Sequence, residues 1–404
     1  PPGIAVDFPK VMERMRRLRA DISPNDSARR FRELGVDVFI GEGRFIGPES
    51  LEVNGKTLRF SKALIATGAR ASAPPIPGLE KAGYLTNETV FSLTGLPKRL
   101  AVIGAGPIGC ELSQAFARFG SRVRLLEAAD GILIREDRGA AAIVERSLLR
   151  DGVELVTGCT LKRVSLRKGK KVLEVVCGGE SRELVVDEIL VGVGRAPNVQ
   201  GIGLSRAGVD FDPRKGLLVD DTLETTNPRI YGAGDVCSSY KFTHAADALS
   251  RIVIQNALFP GPKKKASSLT IPWCTYTDPE IAHVGMYDAE ARERGIPVKT
   301  FEVALGDVDR ARLDGEEQGF LKVHVGEGSD RILGATMVSR HAGETISELS
   351  LAITAGIGMG TLSKVIHPYP TQAESVKRAA DAYSRTRLTP TVKHLLEKWL
   401  SWTR

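Results

Sequence analysis

The stretch Leu100 to Glu127, LAVIGAGPIGCELSQAFARFGSRVRLLE, constrains this chain more than any other. Leu100 to Ile103 is an apolar run of the kind that forms a buried parallel strand. Gly104-x-Gly106-x-x-Gly109 follows at once. Glu111 to Phe119 then carries helical periodicity, and Val123 to Leu126 is a second apolar strand that runs into Glu127. This is a βαβ unit with a separate task for each glycine. Gly104 allows the tight turn, Gly106 lets a pyrophosphate approach the backbone, and Gly109 lets helix and strand pack closely. The phosphates are expected at the helix N-terminus, where unpaired N–H groups and the helix dipole favour negative charge. Glu127 stands 18 positions after Gly109, where an acid can hold a ribose 2′-hydroxyl. Its carboxylate repels a 2′-phosphate, so NAD(H) is favoured over NADP(H). Arg124 and Arg135 lie near enough in sequence to keep NADP(H) open.

At 404 residues the chain is too long for one core. Its 42% hydrophobic and 26% charged residues are those of a globular protein, and no apolar run is long enough to span a bilayer. No membrane association is therefore expected. The net charge of +7 is mild, and clusters such as Lys263-Lys264-Lys265 lack interleaved aromatics, so no nucleic-acid partner is expected either. Cys110, Cys159, Cys177, Cys237 and Cys274 are scattered without CxxC or metal-ligand spacing. They are expected to be reduced thiols in the cytoplasm, with no metal site.

Taken in order, residues 1–34 read as helical, with Phe8, Val11, Met12 and Met15 on one stripe and a second helix capped within Asn25-Asp26-Ser27. Val36 to Phe60 reads as short strands, VDVFIGEGRFI and LEVNGKTLRF, the latter a hairpin turning at Asn54-Gly55. Residues 63–69, 189–198 and 225–237 are three more strands that run into Gly turns, the last carrying Asp235. Lys168 to Lys171 marks a hairpin tip, and residues 260–266 mark a boundary. From Ile271 onward, strands at FEVAL, GFLKVHV and RILGATMV alternate with helical patterns, as in a separate α+β domain. Residues Thr391 to Arg404 form an amphipathic helix with Val392, Leu395, Leu396 and Trp399 on one face. That face is expected to pack on the protein's own body or on a dimer partner.

Ala66-Thr67-Gly68, Gly104 to Glu111, Gly192 to Asn198 and Ile230 to Val236 occur in the order and spacing of the pyridine nucleotide-disulfide oxidoreductases. Thr277-Asp278-Pro279-Glu280-Ile281-Ala282 and Pro370-Thr371-x-x-Glu374 extend the resemblance to nearly the whole chain. The resemblance implies an α/β fold with two Rossmann-like nucleotide-binding domains and a C-terminal α+β dimerisation domain. The FAD domain would be residues 1–86 and 218–266, interrupted by an NAD(P) domain at 87–217, with the dimerisation domain at 267–404. It implies FAD beside NAD(H), with Thr67, Gly68, Asp235, His244 and Ala245 toward the flavin. Asp235 would accept from a ribityl hydroxyl, and the helix after Thr243-His244-Ala245 would point its N-terminus at the flavin pyrimidine. Glu111 matches the glutamate that pairs with a lysine near flavin N5, and Gly194 would lie beside the nicotinamide nucleotide.

Two departures shape the expected chemistry. The family begins with its own FAD-binding βαβ fingerprint and a Cys-x-x-x-x-Cys redox pair, and neither occurs in this sequence. The chain starts Pro1-Pro2 without a Met, so it is expected to be a piece of a longer protein. The second departure is His367-Pro368-Tyr369-Pro370-Thr371-Gln372-Ala373-Glu374. Aligned on Pro370-Thr371 and Glu374, Tyr369 takes the place of the histidine that forms a His–Glu acid/base pair in the disulfide reductases. A tyrosine there resembles the mercuric reductase branch. Its pKa near 10 makes it a poor thiol base, but it can donate a hydrogen bond or contact a soft metal ion. That branch also relays Hg(II) through a C-terminal cysteine pair and generally uses NADPH; here no cysteine follows Cys274. The resemblance thus implies electron flow from NAD(P)H through FAD to a Cys pair and on to a soft metal ion or a disulfide. Tyr369 and Glu374 would come from the partner subunit of a homodimer. The alternatives are a dihydrolipoamide dehydrogenase-like reductase using His367, and a non-catalytic NAD-binding dimeric fragment.

Overall fold

The strand Arg99–Ile103 lies inside a four-stranded, all-parallel sheet in the computed structural model, which describes residues 5–403. Its neighbours are Glu188–Val191 on one side and Arg122–Leu126 on the other, with Glu154–Val156 beyond. The sheet can form because its strands are apolar on both faces: Leu100, Ala101, Val102, Leu125, Ile189 and Leu190 are all buried. The helix Pro107–Phe119 crosses between the two strands and ends at Gly120, whose φ of 105° an L side chain rarely adopts. The N-terminal helix Phe8–Ile22, capped by the Asp7 carboxylate, packs onto it. The Phe8 ring lies 5.8 Å from Phe116 and 5.7 Å from Phe119. Of the expected stripe, Phe8 and Met12 are buried. Ser27 caps the next helix, Ala28–Glu33, from within the expected triplet. The first four residues lie outside the described range.

A second parallel pair, Ala63–Ile65 with Ile230–Gly232, sits in the same contact unit, residues 1–131 and 152–269. Leu64 of this pair is 39% exposed. Hairpins occur at both expected tips, Asn54-Gly55 between Ser50–Val53 and Lys56–Arg59, and Lys168-Gly169 between Cys159–Arg167 and Lys170–Cys177. All four tip residues have positive φ, as a type I′ turn demands.

Two expectations fail in this unit. Val36 to Ile40 is not a strand; the first strand is Gly43–Gly47. The apolar pattern is there, but Phe39 is 41% and Ile40 70% exposed, and no neighbouring strand pairs with their backbone. The cysteines are also not all reduced, because Cys159 and Cys177 form a disulfide. They face each other across two antiparallel strands, a pairing that register decides and sequence spacing does not reveal.

The other unit comprises Ile132–Asp151 and Thr270–Arg404. Its antiparallel sheet has the order Trp273–Thr275, Glu280–Gly285, Ile332–Ser339, Phe320–Gly326, Val298–Ala304. The helices Ala342–Thr354 and Glu374–Thr386 contribute Ile346, Leu349, Val376 and Ala379 to its core. Residues 132–151 are held here by polar ties. The Glu136 carboxylate accepts from Trp273 Nε1 at 3.0 Å and from the Tyr287 hydroxyl at 2.5 Å. Asp137 pairs with Lys322 at 3.0 Å. Burial raises the Glu136 pKa, against the two hydrogen bonds. His283 is stacked 3.6 Å from the Tyr287 ring, and burial pushes its pKa down to about 3.

The helix Pro390–Trp402 forms with Thr389 as its cap and Pro390 at its first position. No residue on it is buried. The expected packing of its apolar face on the protein's own body does not occur.

Candidate functional site

The three glycines of the first turn meet three different surroundings. A Cβ on Gly109 would lie 1.8 Å from the Gly104 carbonyl oxygen, so only glycine lets helix and turn approach this closely. Gly104 has φ +96° and would place a Cβ 2.8 Å from Gly192 O. A Cβ on Gly106 would meet nothing within 4 Å. Gly106 therefore faces open space at the start of the Pro107–Phe119 helix, the side a pyrophosphate would approach. Beside it, Cys110 is buried with its thiol 3.4 Å from Ala105 O, and burial raises its pKa. That thiol has no access to solvent chemistry. Glu111 stands half-buried one residue further along the helix.

Glu127 ends the next strand as expected. Its carboxylate accepts from the Ala105 N–H at 2.8 Å and from the Ala129 N–H at 3.0 Å. The acid is thus fixed at the lip of the Gly turn. Arg124 pairs with Glu154 at 2.7 Å, which commits the one cation of this strand that sequence spacing had left for a 2′-phosphate.

The second and third Gly turns are zipped together. Thr67 Oγ1 donates to Asn198 O at 2.8 Å, and Asn198 Nδ2 donates back to Thr67 O at 2.9 Å. The Gly68 carbonyl accepts from the Asn198 N–H, and the short strands Ala69–Ala71 and Arg195–Pro197 pair antiparallel. Gly194, with φ +135°, has open space where a Cβ would be. Asp235 follows the strand Ile230–Gly232 and is ion-paired with Arg195 at 2.8 Å. Arg195 also donates to Ala69 O at 3.0 Å, and its buried Nε has no partner. The helix Thr243–Leu258 begins just beyond, and no side chain caps its N-terminus. Ala245 is buried in its first turn, and the His244 ring stacks on Phe242 at 5.4 Å. An uncapped helix N-terminus, an acid held by an arginine and an open glycine fit the ribityl and isoalloxazine part of a flavin nucleotide. Sequence reasoning missed Arg195, Asn198 and Glu154. The first two lie within a motif it did single out.

In the other unit the C-terminal motif separates its two aromatic candidates. Tyr369 is 70% exposed, and its hydroxyl donates to Asp309 Oδ2 at 2.8 Å. That bond, with the Asp309 charge, raises the phenol pKa. His367 is withdrawn: its side chain is 5% exposed, and Nε2 lies 3.0 Å from Glu348 Oε1. Its Nδ1 is buried without a partner. Glu374 opens the helix Glu374–Thr386 and pairs with Arg378 at 2.8 Å, while its Oε2 is buried without a partner. Arg378 also donates to the Asp307 carbonyl, and Asp309 and Arg378 both line an open groove of about 510 Å³. Asp309, Glu348 and Arg378 could not be found from the motif, because their roles depend on chain folding. Among the described residues, no cluster of three His, Cys, Asp or Glu is arranged to hold a metal.

A parallel dinucleotide-type sheet with two further Gly turns, and a separate antiparallel α+β unit, define a two-part nucleotide-binding fold. The chain belongs to the pyridine nucleotide-disulphide oxidoreductases: that family's model matches residues 9–249, and the family's dimerisation domain matches residues 271–380. It is similar to the mercuric reductase of Lysinibacillus sphaericus, at 37% identity over 87% of this chain and 64% of that protein. It is similar to the dihydrolipoyl dehydrogenase of Thermus scotoductus, at 37% identity over 86% of this chain and 75% of that one. The Cu(II) complex of the HOCl-induced flavoprotein disulfide reductase RclA from Escherichia coli superposes with a TM-score of 0.84 at 29% identity, covering 92% of this chain and 85% of that chain. The chain spans 64% and 56% of the mercuric reductases from L. sphaericus and Bacillus cereus.

Proposed function

We propose that the complete protein is an FAD-dependent, NADH-using oxidoreductase that passes electrons to a cysteine pair and then to a soft metal ion or a disulfide. Family membership supports the class. When bound, FAD supplies the two-electron carrier between nicotinamide and cysteine. In this chain Asp235, Gly194, the Thr67-Gly68 turn and the first turn at His244-Ala245 would hold it, with Glu111 near its reactive edge. The first FAD fingerprint and the redox cysteines would lie in a segment preceding this sequence. The partly exposed Leu64, on a strand paired on one side only, supports a further strand there. We assign residues 1–86 and 218–266 to the FAD domain, 87–217 to the NAD(P) domain and 267–404 to dimerisation.

Preference for NADH rests on Glu127 fixed at the Gly turn and on Arg124 committed to Glu154. The dimerisation domain supports a homodimer in which Tyr369 and Glu374 complete the partner's site. The cytoplasm is the proposed location, as the compartment that holds reduced nicotinamide; no helix among the described residues is long and apolar enough to cross a membrane.

One observation carries the choice of acceptor chemistry. Tyr369 is presented to solvent by Asp309, whereas His367 is buried against Glu348. An exposed phenol suits hydrogen bonding or soft-metal contact, and a buried imidazole cannot reach a thiol. This favours the mercuric reductase-like reading over the dihydrolipoamide dehydrogenase-like one. The test is metal-dependent NADH oxidation by the full-length protein, with Hg(II) as probe. Tyr369→Phe should abolish it and His367→Gln should spare it. The opposite pattern would transfer the role to His367.

A further inference from the structure

We propose that the C-terminal helix Pro390–Trp402 is a docking element for an anionic phospholipid surface. This goes beyond the redox reading and does not depend on it. The helix is fully formed, yet every residue from Arg385 to Thr403 is exposed. Its apolar side chains are Val392, Leu395, Leu396, Trp399, Leu400 and Trp402, the last 87% exposed. At ~100° per residue they fill an arc of about 160° on one side. That is wider than the narrow stripe of a two-helix seam. Lys393 and Lys398 fall about 20° and 40° outside the two edges of the arc, while Glu397 lies on the polar face beyond Lys393, and Ser401 and His394 fill its middle.

This placement matches a membrane interface. Lysines at the borders can lay their methylenes along the acyl region and keep their ammonium groups at the headgroups. The acid points away from the lipid and pairs with Lys393 at 4.0 Å. Tryptophan favours the headgroup level. Thirteen residues make a rod of about 20 Å, too short for the ~30 Å hydrocarbon core, so the helix would lie in the plane of the interface. Arg385 and Arg387, both exposed, extend the basic character to the preceding turn. The match to the family's dimerisation domain ends at residue 380, ten residues before the helix begins. The charge of this surface is complementary to an acidic bilayer.

The experiment is co-sedimentation of the whole protein with vesicles of phosphatidylcholine containing phosphatidylglycerol, against phosphatidylcholine alone. The protein should pellet with the anionic vesicles only, and less at high salt. Lys393→Gln and Lys398→Gln should each weaken partitioning about fivefold. The exposed double substitution Leu395→Asp, Trp399→Ser should abolish it without changing the melting temperature. Failure to pellet, or pelleting that survives the double substitution, would overturn the proposal. So would a higher oligomer that Leu395→Asp dissociates in the absence of lipid binding, since the face would then belong to a second copy.

Discussion

Gly106 and Gly109, three residues apart, should respond differently to the same added methyl group. In Gly109→Ala the new Cβ would sit 1.8 Å from Gly104 O and 3.0 Å from Gly104 C. Close-packed heavy atoms want roughly 3.5 Å, so turn and helix must part by roughly 1–2 Å. Both sides of the clash are backbone, and no rotamer can relieve it. Overpacking of this kind costs about 1–3 kcal/mol, and this contact belongs at the upper end. For a unit of this size, about 3 kcal/mol lowers the melting temperature by about 6–12 °C. Gly106→Ala differs: its Cβ would meet nothing within 4 Å, and φ is −76°, open to any residue. Stability should be unchanged, while the methyl group occupies the space a pyrophosphate needs and weakens NADH binding. The assay is thermal denaturation of both variants beside calorimetric NADH titration. Equal destabilisation by both substitutions, or full NADH affinity in Gly106→Ala, would refute the division of roles.

Three further outcomes follow from the same geometry. Glu127→Ala should narrow the preference for NADH over NADPH by about tenfold, because a carboxylate near a 2′-phosphate costs about 1–3 kcal/mol at surface dielectrics; competitive titration of the two nucleotides measures it. His283 is held neutral, with a folded pKa of about 3 against about 6.5 unfolded, so the unfolded chain binds the extra proton between those values. Stability of its unit should therefore fall by about 1.4 kcal/mol per pH unit below pH ~6.5, and denaturant titrations of His283→Gln should lack that contribution. The Cys159–Cys177 bond leaves Cys110, Cys237 and Cys274 as thiols, so alkylation after unfolding without reductant should label three of the five cysteines. Closing that 18-residue loop stabilises by about 3 kcal/mol in chain-entropy terms, which reduction should remove.

The parts of the molecule that sequence disclosed are those where backbone geometry restricts residue type. Gly104, Gly106 and Gly109 are each required or permitted by a distance to neighbouring backbone, and the strands around them are apolar because both faces are covered. Asn54-Gly55 is similar, since its turn needs positive φ. What sequence did not disclose depends on pairing between distant segments. Val36 to Ile40 has a strand's composition, but composition cannot supply a neighbour. Cys159 and Cys177 meet through strand register. Tyr369 and His367 are two residues apart, yet Asp309, 60 positions away, presents one of them, and Glu348, 19 positions away, secures the other. The C-terminal helix shows the same limit: amphipathicity predicted the helix, but could not tell that the rest of this chain leaves its stripe exposed.

The most direct test of the proposed function is an anaerobic titration of the full-length protein with NADH, followed in the flavin absorbance band. The account predicts a yellow protein whose flavin band bleaches on addition of stoichiometric NADH, and far less readily with NADPH. A colourless full-length protein, or a flavin band that NADH leaves unchanged, would contradict it and leave an NAD-binding dimer without flavin chemistry.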